Sequence, residues 1–338
     1  MDLRKAFDTV DHTILLQKLS ALGVIDHGNN WFNDYLSGRS QVVNFNGALS
    51  DHEQTTVGVP RGSILGPLLF VLYVNDLPDT IRQCNILLYA DDTVLFTSSD
   101  DASSIMEKLN DELKVLDYWL RMSGLFLNTS KTETFLFGTQ ARLNTVQNFT
   151  IQKNGYVLKR VFEFKYLDVV FDQHISWNAH VKYLLAKAGK RVGMLGRIRH
   201  NLTTHCPNIV YTSHIRPILD YCDTVYHCCG ELNSNYLEKL QRRAARIVCK
   251  RYSSDEAIDL LRRKTLFCRR EQHTFKLVKK CLSGHCPQFF KNYFRSNSSV
   301  SNRATRQSNH LHLPRVRTEV TKRGFYFNGC IVYNKFQN

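Results

Sequence analysis

Two adjacent aspartates, Asp91 and Asp92, interrupt an apolar stretch that otherwise has the composition of two β-strands. Aspartate is disfavoured within strands and common in turns, so a tight turn explains the pair as readily as a functional role does. Two carboxylates at a hairpin tip also share one small space, where their repulsion is costly unless cations lie between them. Hard divalent ions such as Mg²⁺ bind oxygen ligands of this kind. The pattern therefore predicts a hairpin whose tip is either a plain turn or a metal site.

Two other segments contain residue types that suit a site. Asp2 begins an apolar stretch, and the aromatic Phe7 follows five residues later. Residues 58–67 contain three glycines and two prolines and lead into an apolar run. Glycine lets a backbone approach a ligand closely. Each segment also has an ordinary explanation, namely the end of an element for Asp2 and a conventional loop before a buried helix for residues 58–67.

The spacing of apolar and turn-forming residues predicts the elements that would position these segments. Helices are predicted at 13–22, 30–36, 68–77 and 105–120. Strands are predicted at 41–46, 55–59, 132–137 and 164–171, and a hairpin at 86–96. Beyond residue 178 the pattern is mainly helical and basic as far as about residue 285, and the Ser-, Asn- and Arg-rich segment 296–323 is expected to be loose.

The charge of the chain is divided unevenly along its length. The net charge is +15, but residues 1–172 contain 15 Lys/Arg and 21 Asp/Glu, whereas residues 173–338 contain 30 and 9. An acidic half followed by a basic half suits a metal-loaded catalytic part beside a nucleic-acid-binding part. On charge alone, an ordinary basic surface explains the second half equally well.

The apolar and cysteine patterns limit the class of protein. The longest apolar run, Ile64–Val74, is too short for the ~20 residues that span a bilayer, and the N-terminus has no signal-peptide core. We therefore expect no membrane contact and an intracellular protein, in the nucleus or cytoplasm, with ten free cysteines. The two Cys/His groups, at 222–229 and 281–286, lack paired zinc-ligand spacing, so structural zinc is not expected.

The order of the three candidate segments resembles motifs A, B and C of the reverse-transcriptase palm. The matching residues are Asp2-Leu3-Arg4-Lys5-Ala6-Phe7-Asp8, Gly58-Val59-Pro60-Arg61-Gly62-Ser63 and Tyr89-Ala90-Asp91-Asp92. Segments 123–132 and 164–172 resemble motifs D and E. Ser176-Trp177, His180 and the segments 215–222 and 237–246 resemble jockey-like elements, a group of non-LTR (LINE-type) retrotransposons.

This resemblance implies an α+β fold, with a polymerase palm in which an antiparallel sheet packs on helices, followed by a mainly helical, basic, thumb-like region. The palm, motifs A to D, would occupy residues 1–140, with a remnant of the fingers at about 27–60. The motif E hairpin would occupy 141–178 and the thumb-like region 179–295. Residues 296–338 would form a loose C-terminal tail.

The resemblance also implies two-metal nucleotidyl transfer with two Mg²⁺ ions, for which Mn²⁺ is a possible substitute. Asp2, Asp91 and Asp92 would hold the ions, together with the backbone carbonyl of Leu3. Lys131 matches a motif D lysine near the pyrophosphate, where it would donate a proton. A surface lysine is an equally good explanation of Lys131.

The nucleotide-binding residues implied by the resemblance are Phe7, Pro60, Arg61 and Gly62. Phe7 matches the aromatic ring that occupies the space of a ribose 2′-hydroxyl, and the loop around Gly62 would underlie the incoming nucleotide. Arg61 departs from the family, which usually has Gln there, and this puts nucleotide positioning in doubt. Asp168 likewise stands where motif E usually has Gly. Asp8 is expected to be structural.

One predicted helix has a basic stripe. The spacing i, i+3, i+4, i+7 and i+11 places five basic residues on one face, with apolar residues on the opposite face: Lys239, Arg242, Arg243, Arg246 and Lys250. We expect this face to grip the backbone of an RNA template and DNA primer, with dNTPs as the other substrates. A solvated surface is the alternative, although such faces usually mix both signs of charge.

The family has a fingers region before motif A, and jockey-like elements also have an endonuclease domain upstream. This sequence contains neither, so we expect a truncated copy with little or no polymerase activity alone. Two rival functions remain. One is an RNA-dependent RNA polymerase, against which Phe7 and the Tyr-Ala-Asp-Asp sequence argue. The other is a residual nucleic-acid-binding protein without catalysis.

Overall fold

A computed structural model describes residues 1–146, 148–203, 205–250, 252–300 and 308–337. The chain divides into two compact units. Unit 1 contains Met1–Phe135 and Asn144–Val161, and unit 2 contains Leu136–Leu143 and Phe162–Asn338.

The described residues of unit 1 form four α-helices and ten short strands. In chain order they are α1 (His12–Ala21), α2 (Asp26–Leu36), β1 (Ser40–Gln41), β2 (Asn44–Phe45), β3 (Ala48–Leu49), β4 (Glu53–Gln54), α3 (Leu65–Tyr73), β5 (Asn85–Tyr89), β6 (Asp92–Phe96), α4 (Ala102–Met122), β7 (Glu133–Phe135), β8 (Gln152–Lys153), β9 (Tyr156–Val157) and β10 (Lys159–Val161). The short helix α5 (Gln140–Thr145) crosses the boundary between the two units in the sequence.

Helices α1 and α4 of unit 1 begin at residues whose side chains cap them. The carboxylate of Asp11 accepts a hydrogen bond from the Ile14 amide at 3.0 Å at the start of α1, and Asp101 accepts one from Ser104 at 3.0 Å at the start of α4. Helix α3 begins at Leu65, three residues before its predicted start. Its second and third residues are Gly66 and Pro67, and proline is tolerated in the first turn because its missing N–H would be unpaired there anyway.

The strands of unit 1 form two-stranded pairs. Among the described residues, β1–β4, β2–β3, β5–β6 and β8–β9 are antiparallel and β7–β10 is parallel. The predicted hairpin at 86–96 is confirmed as β5–β6. The predicted strand at 55–59 is wrong, since those residues lie between β4 and α3 and Val57 makes only an isolated bridge to Asp11.

Helices α1, α3 and α4 supply much of the buried apolar surface of unit 1. Leu15, Leu19, Leu69 and Phe70 are at most 1% exposed. Tyr73 is equally buried, and its hydroxyl donates to the backbone oxygen of Ser123 at 2.6 Å. Burial raises the pKa of Tyr73 to about 12. The phenol therefore stays neutral and ties α3 to the end of α4.

Unit 2 contains one hairpin followed by helices. Its elements are β11 (Glu163–Tyr166), β12 (Val169–Asp172), α6 (Asn178–Ile198), α7 (Cys206–Val210), α8 (Arg216–Asp220), α9 (Glu231–Cys249), α10 (Ser254–Leu260), α11 (Leu266–Leu282), α12 (Asn297–Val300), α13 (Glu319–Lys322) and α14 (Phe325–Gln337). A π-helical turn, Tyr211–Ile215, connects α7 and α8.

Two apolar clusters hold unit 2 together. The larger is formed mainly by buried faces of α6 and α9, including Leu184, Val192, Leu237 and Ala244. The smaller joins α11 and α14 through residues such as Val278 and Cys330. The ordered helix α14 differs from the expectation of a loose tail over 296–338. Residues 301–307 of that tail lie outside the described residues.

Among the residues that the structure describes, no helix combines the length and apolar character that crossing a bilayer requires.

Candidate active site

The segment that contains Asp2 lies between the Asp-Asp hairpin and the chain that follows α4. On one side, the nitrogen of Met1 donates to the backbone oxygen of Thr93 at 2.6 Å. On the other side, Leu3 forms a bridge with Leu127, and the Asn128 amide donates to the Asp2 oxygen at 2.8 Å. Backbone pairing thus brings the N-terminal segment beside the hairpin, although the two are about ninety positions apart in the sequence.

The hairpin tip is a turn of two residues, with Asp91 in the turn and Asp92 directly after it. Tyr89 pairs with Asp92, so only Ala90 and Asp91 lie in the turn. Ala90 has a φ of +52°, a left-handed conformation that is strained for a residue with a Cβ atom. Just before β5, the backbone amides of Arg82 and Gln83 donate hydrogen bonds to the buried carboxylate of Glu112 in α4. These bonds hold the chain that leads into the hairpin.

The charges of Asp2 and Asp91 act on the third predicted carboxylate, Asp92. Partial burial raises the pKa of Asp92, the charges of Asp91 and Asp2 raise it further, and the Met1 ammonium group acts in the opposite direction. Asp92 therefore lies close enough to both acids to be repelled by them. Ionised oxygen donors in one place are the ligand set that Mg²⁺ prefers.

Asp2 is also held by residues that the sequence analysis missed. The side-chain amide of Asn128 donates to the Asp2 carboxylate at 2.9 Å. The Asp2 amide donates to the hydroxyl of Thr132 at 3.3 Å, and Thr132 is buried. Asn128 and Thr132 both lie in the segment that resembles motif D, in which the sequence analysis predicted a role only for Lys131. Lys131 is exposed, and its amide donates to the Asn128 oxygen at 3.2 Å, so it lies one contact away from Asp2.

The structure also brings together a different set of metal-capable side chains. Within the described part of the chain, the one group of three whose ligand atoms all lie within 4.8 Å of each other is Asp220, Asp223 and His273 in unit 2. Asp2, Asp91 and Asp92 do not meet this spacing in the described part of the chain. The Asp220 carboxylate already receives the guanidinium of Arg269 at 3.1 and 2.5 Å, so its charge is compensated by protein.

The Gly/Pro loop packs directly on the Asp2–Phe7 segment. The Gly58 amide donates a hydrogen bond to the backbone oxygen of Val10 at 2.7 Å, and the Val59 amide donates one to the backbone oxygen of Phe7 at 2.8 Å. Gly58 has a φ of +89°, and a Cβ atom there would lie 2.9 Å from the Cα of Asp8. Only glycine allows the backbone of the loop to lie this close to the backbone of Asp8.

The predicted nucleotide-binding residues gather at this loop. The half-buried ring of Phe7 packs against Phe70 with centroids 4.7 Å apart. The oxygen of Pro60 accepts a hydrogen bond from the Ser63 hydroxyl at 2.8 Å, and the exposed Gly62 has open space around it. The unusual Arg61 forms an ion pair with Asp8 at 2.6 Å.

In unit 2, all five residues of the predicted basic stripe are exposed, four of them on α9 and Lys250 directly after its end: Lys239, Arg242, Arg243, Arg246 and Lys250. Two of them contact neighbouring groups. Arg242 lies 3.4 Å from Asp255, and the Lys250 amine lies 3.2 Å from a ring nitrogen of His200. The opposite face of α9 is buried, as the apolar spacing predicts, although Ile247 is only partly covered.

Comparison with known proteins identifies the family of this chain. The family described as "Reverse transcriptase (RNA-dependent DNA polymerase)" matches residues 1–184. Among curated relatives, the "Probable RNA-directed DNA polymerase from transposon BS" of Drosophila melanogaster is 27% identical over 260 residues, covering 73% of this chain and 28% of the relative. The "RNA-directed DNA polymerase from mobile element jockey" of Drosophila funebris is 26% identical over 256 residues, covering 73% and 27%. The matched part thus spans less than a third of these relatives. Because the family match covers more than half of the sequence, this chain belongs to the reverse transcriptase family.

Proposed function

We propose that Asp2, Asp91 and Asp92 hold two Mg²⁺ ions, or Mn²⁺ in their place, for RNA-directed DNA synthesis. The observation that carries the proposal is the backbone pairing that places the Asp2 segment beside the Asp91-Asp92 hairpin, through the hydrogen bond from the Met1 nitrogen to the Thr93 oxygen at 2.6 Å. The backbone oxygen of Leu3, between Asp2 and the Leu127 bridge, would complete the ligand set. In this account unit 1 contains the palm, and the helical part of unit 2 is thumb-like.

When bound, the metal ions would lower the pKa of the primer 3′-hydroxyl and neutralise the leaving pyrophosphate. The protein's own part is placement. Asn128 orients the Asp2 carboxylate through its side-chain amide. The Gly62 backbone underlies the incoming dNTP, and Lys131 donates a proton to the pyrophosphate. The RNA template and DNA primer lie along the exposed basic stripe of α9.

Phe7 selects the sugar in this account. Its ring packs against Phe70, and its backbone is held to the loop by the hydrogen bond from the Val59 amide to its backbone oxygen. A fixed ring cannot move aside, so a 2′-hydroxyl would collide with it. This is the property that separates a DNA polymerase from the rival RNA-dependent RNA polymerase.

Nucleotide binding to the full chain tests the proposal. With a primer–template and Mn²⁺ present, dUTP should bind about tenfold more tightly than UTP, and Phe7→Ala should remove most of this difference. Phe45→Ala is the matched control, because Phe45 is 74% exposed and lies on β2, away from Phe7.

The alternatives give different results. Tighter binding of UTP would indicate an RNA polymerase. Binding of the primer–template with no effect of Mn²⁺ or nucleotide would indicate that the α9 stripe alone acts, as in a nucleic-acid-binding protein without catalysis.

A further inference from the structure

Unit 1 contains a cavity of about 410 Å³ whose wall is built from three separate elements. Helix α4 contributes Asp117 and Arg121, and the β8–β9 hairpin contributes Lys153 and Tyr156. The third part is the pairing of the N-terminal segment with the chain after α4, where the Arg4 amide donates to the Phe126 oxygen at 2.8 Å. A helix, a hairpin and a β-bridge make this a preformed surface.

The cavity has more positive charge than its single carboxylate can compensate. Asp117 receives Lys153 at 2.6 Å and Arg121 at 3.0 Å. Burial alone would raise the pKa of Asp117, but the hydrogen bonds and charges of Lys153, Asn154 and Arg121 outweigh it and lower the pKa. Arg4 is exposed and has no carboxylate partner among the described residues. Three cations therefore face one anion, within a half of the chain where acids outnumber bases.

The cavity also has two exposed rings. Phe126 is 55% exposed and Tyr156 is 52% exposed, although both residues lie in paired backbone. Tyr156 is fixed opposite Lys153 in the hairpin, and the turn between them, Asn154-Gly155, has positive φ at both positions. Such a two-residue turn holds the ring and the lysine at the same place on the hairpin.

We propose that this cavity binds one nucleotide of a single-stranded nucleic acid, with the phosphate on Arg4 and Arg121 and the base against Phe126 or Tyr156. Exposed rings beside an excess of positive charge, here Arg4 and the Arg121 that shares Asp117 with Lys153, are the combination that binds single strands, because bases stack on the rings and phosphates bind the cations. A pocket of this size lies within the range that accommodates small ligands. The proposal does not depend on the polymerase chemistry, since it uses none of the three metal-binding carboxylates.

Photocrosslinking of the full chain tests the proposal and identifies the bound residue. The probe is an eight-nucleotide oligouridine with one 5-iodouridine, in RNA and DNA forms, and the adduct is mapped by peptide mass spectrometry. We expect adducts on Phe126 or Tyr156. Arg4→Ala combined with Arg121→Ala should lower their yield about fivefold or more and weaken its salt dependence.

Matched controls are available in the same unit. Arg39→Ala removes an exposed cation, and Tyr118→Ala removes a 68% exposed ring of α4, and neither residue lines the cavity. Competition by excess uridine monophosphate, but not by inorganic phosphate, would support a site for a nucleotide. Equal competition by phosphate, adducts only outside the cavity, or an equal loss in the control variants would overturn the proposal.

Discussion

Asp168 shows how a residue that departs from its family can be accommodated. Leu167 and Asp168 both have positive φ, +45° and +63°, in the turn between β11 and β12, where glycine would be unstrained. The Asp168 carboxylate offsets the strain of this turn by contacts with three groups. It pairs with Lys165 at 2.8 Å and Lys187 at 2.5 Å, and it accepts a hydrogen bond from the Tyr183 hydroxyl at 2.7 Å. Burial alone would raise the pKa of Asp168, but these hydrogen bonds lower it. The side chain therefore joins the hairpin to α6.

His180 makes the stability of unit 2 depend on pH. Its ring is fully buried, and Nδ1 accepts a hydrogen bond from the Val170 amide at 3.2 Å. Burial lowers the pKa of His180 from 6.5 to about 4, against an opposing effect of the Asp168 charge. Between these values the unfolded chain binds a proton that the native chain does not. Stability is therefore complete above pH 6.5 and falls by about 3 kcal/mol toward pH 4.

The measurement is urea unfolding followed at pH 7.5 and 4.5. His180→Asn keeps an acceptor for the Val170 amide and cannot ionise, so its loss of stability on acidification should be smaller than that of the wild type. Comparison of the two proteins cancels other groups that titrate in this range, such as His227 and Asp223. An equal loss of stability between pH 7.5 and 4.5 in both proteins would contradict the claim that His180 is neutral in the folded state.

At the scale of elements, local patterns were predictable and long-range pairing was not. The Asp-Asp hairpin and α4 follow from apolar spacing and capping, so both were confirmed with shifted ends. The bridge of Leu3 to Leu127 and the parallel pairing of β7 with β10 join segments distant in sequence, and no local pattern specifies them. For the same reason, the sequence could suggest the aspartates but could not reveal the support from Asn128 or the partner of Arg61.

The approach of the Gly/Pro loop to the N-terminal segment can be tested with two glycines of equal conformation. Gly58 and Gly47 have φ of +89° and +88°, but an added Cβ meets Asp8 only at Gly58. Gly47→Ala should cost about 1 kcal/mol from the backbone alone, and Gly58→Ala about 2–4 kcal/mol because the clash is added. Urea unfolding gives both values. Equal costs would mean that the loop does not pack closely on Asp8.

The basic stripe of α9 should determine the salt dependence of nucleic-acid binding. Arg243 and Arg246 are exposed on that helix. For binding of an RNA–DNA duplex, changing both to Glu should reduce the magnitude of the slope of the logarithm of the association constant against the logarithm of the salt concentration by about two. The control, Lys279→Glu with Lys280→Glu, makes the same charge change on exposed positions of α11. If both pairs lower the slope equally, the stripe has no special role.

At the scale of the whole molecule, the division of charge along the chain follows the division of chemistry that we propose. The acidic half contains the carboxylate cluster, which needs cations, and the basic half contains the exposed stripe of α9, which needs anions. Membership of the reverse transcriptase family supplies one process that uses both. The order of the motifs was enough to predict that family, because spacing along the chain does not require knowledge of the long-range contacts.

Counting bound Mn²⁺ by electron paramagnetic resonance tests most directly whether Asp2, Asp91 and Asp92 form a metal site. With dTTP and a primer–template present, we predict two ions per chain. Asp91→Asn should lose them, whereas Asp51→Asn, an exposed control on the loop before β4, should keep both. Two ions retained in Asp91→Asn, or an equal loss in both variants, would contradict the metal site on which the proposed activity rests.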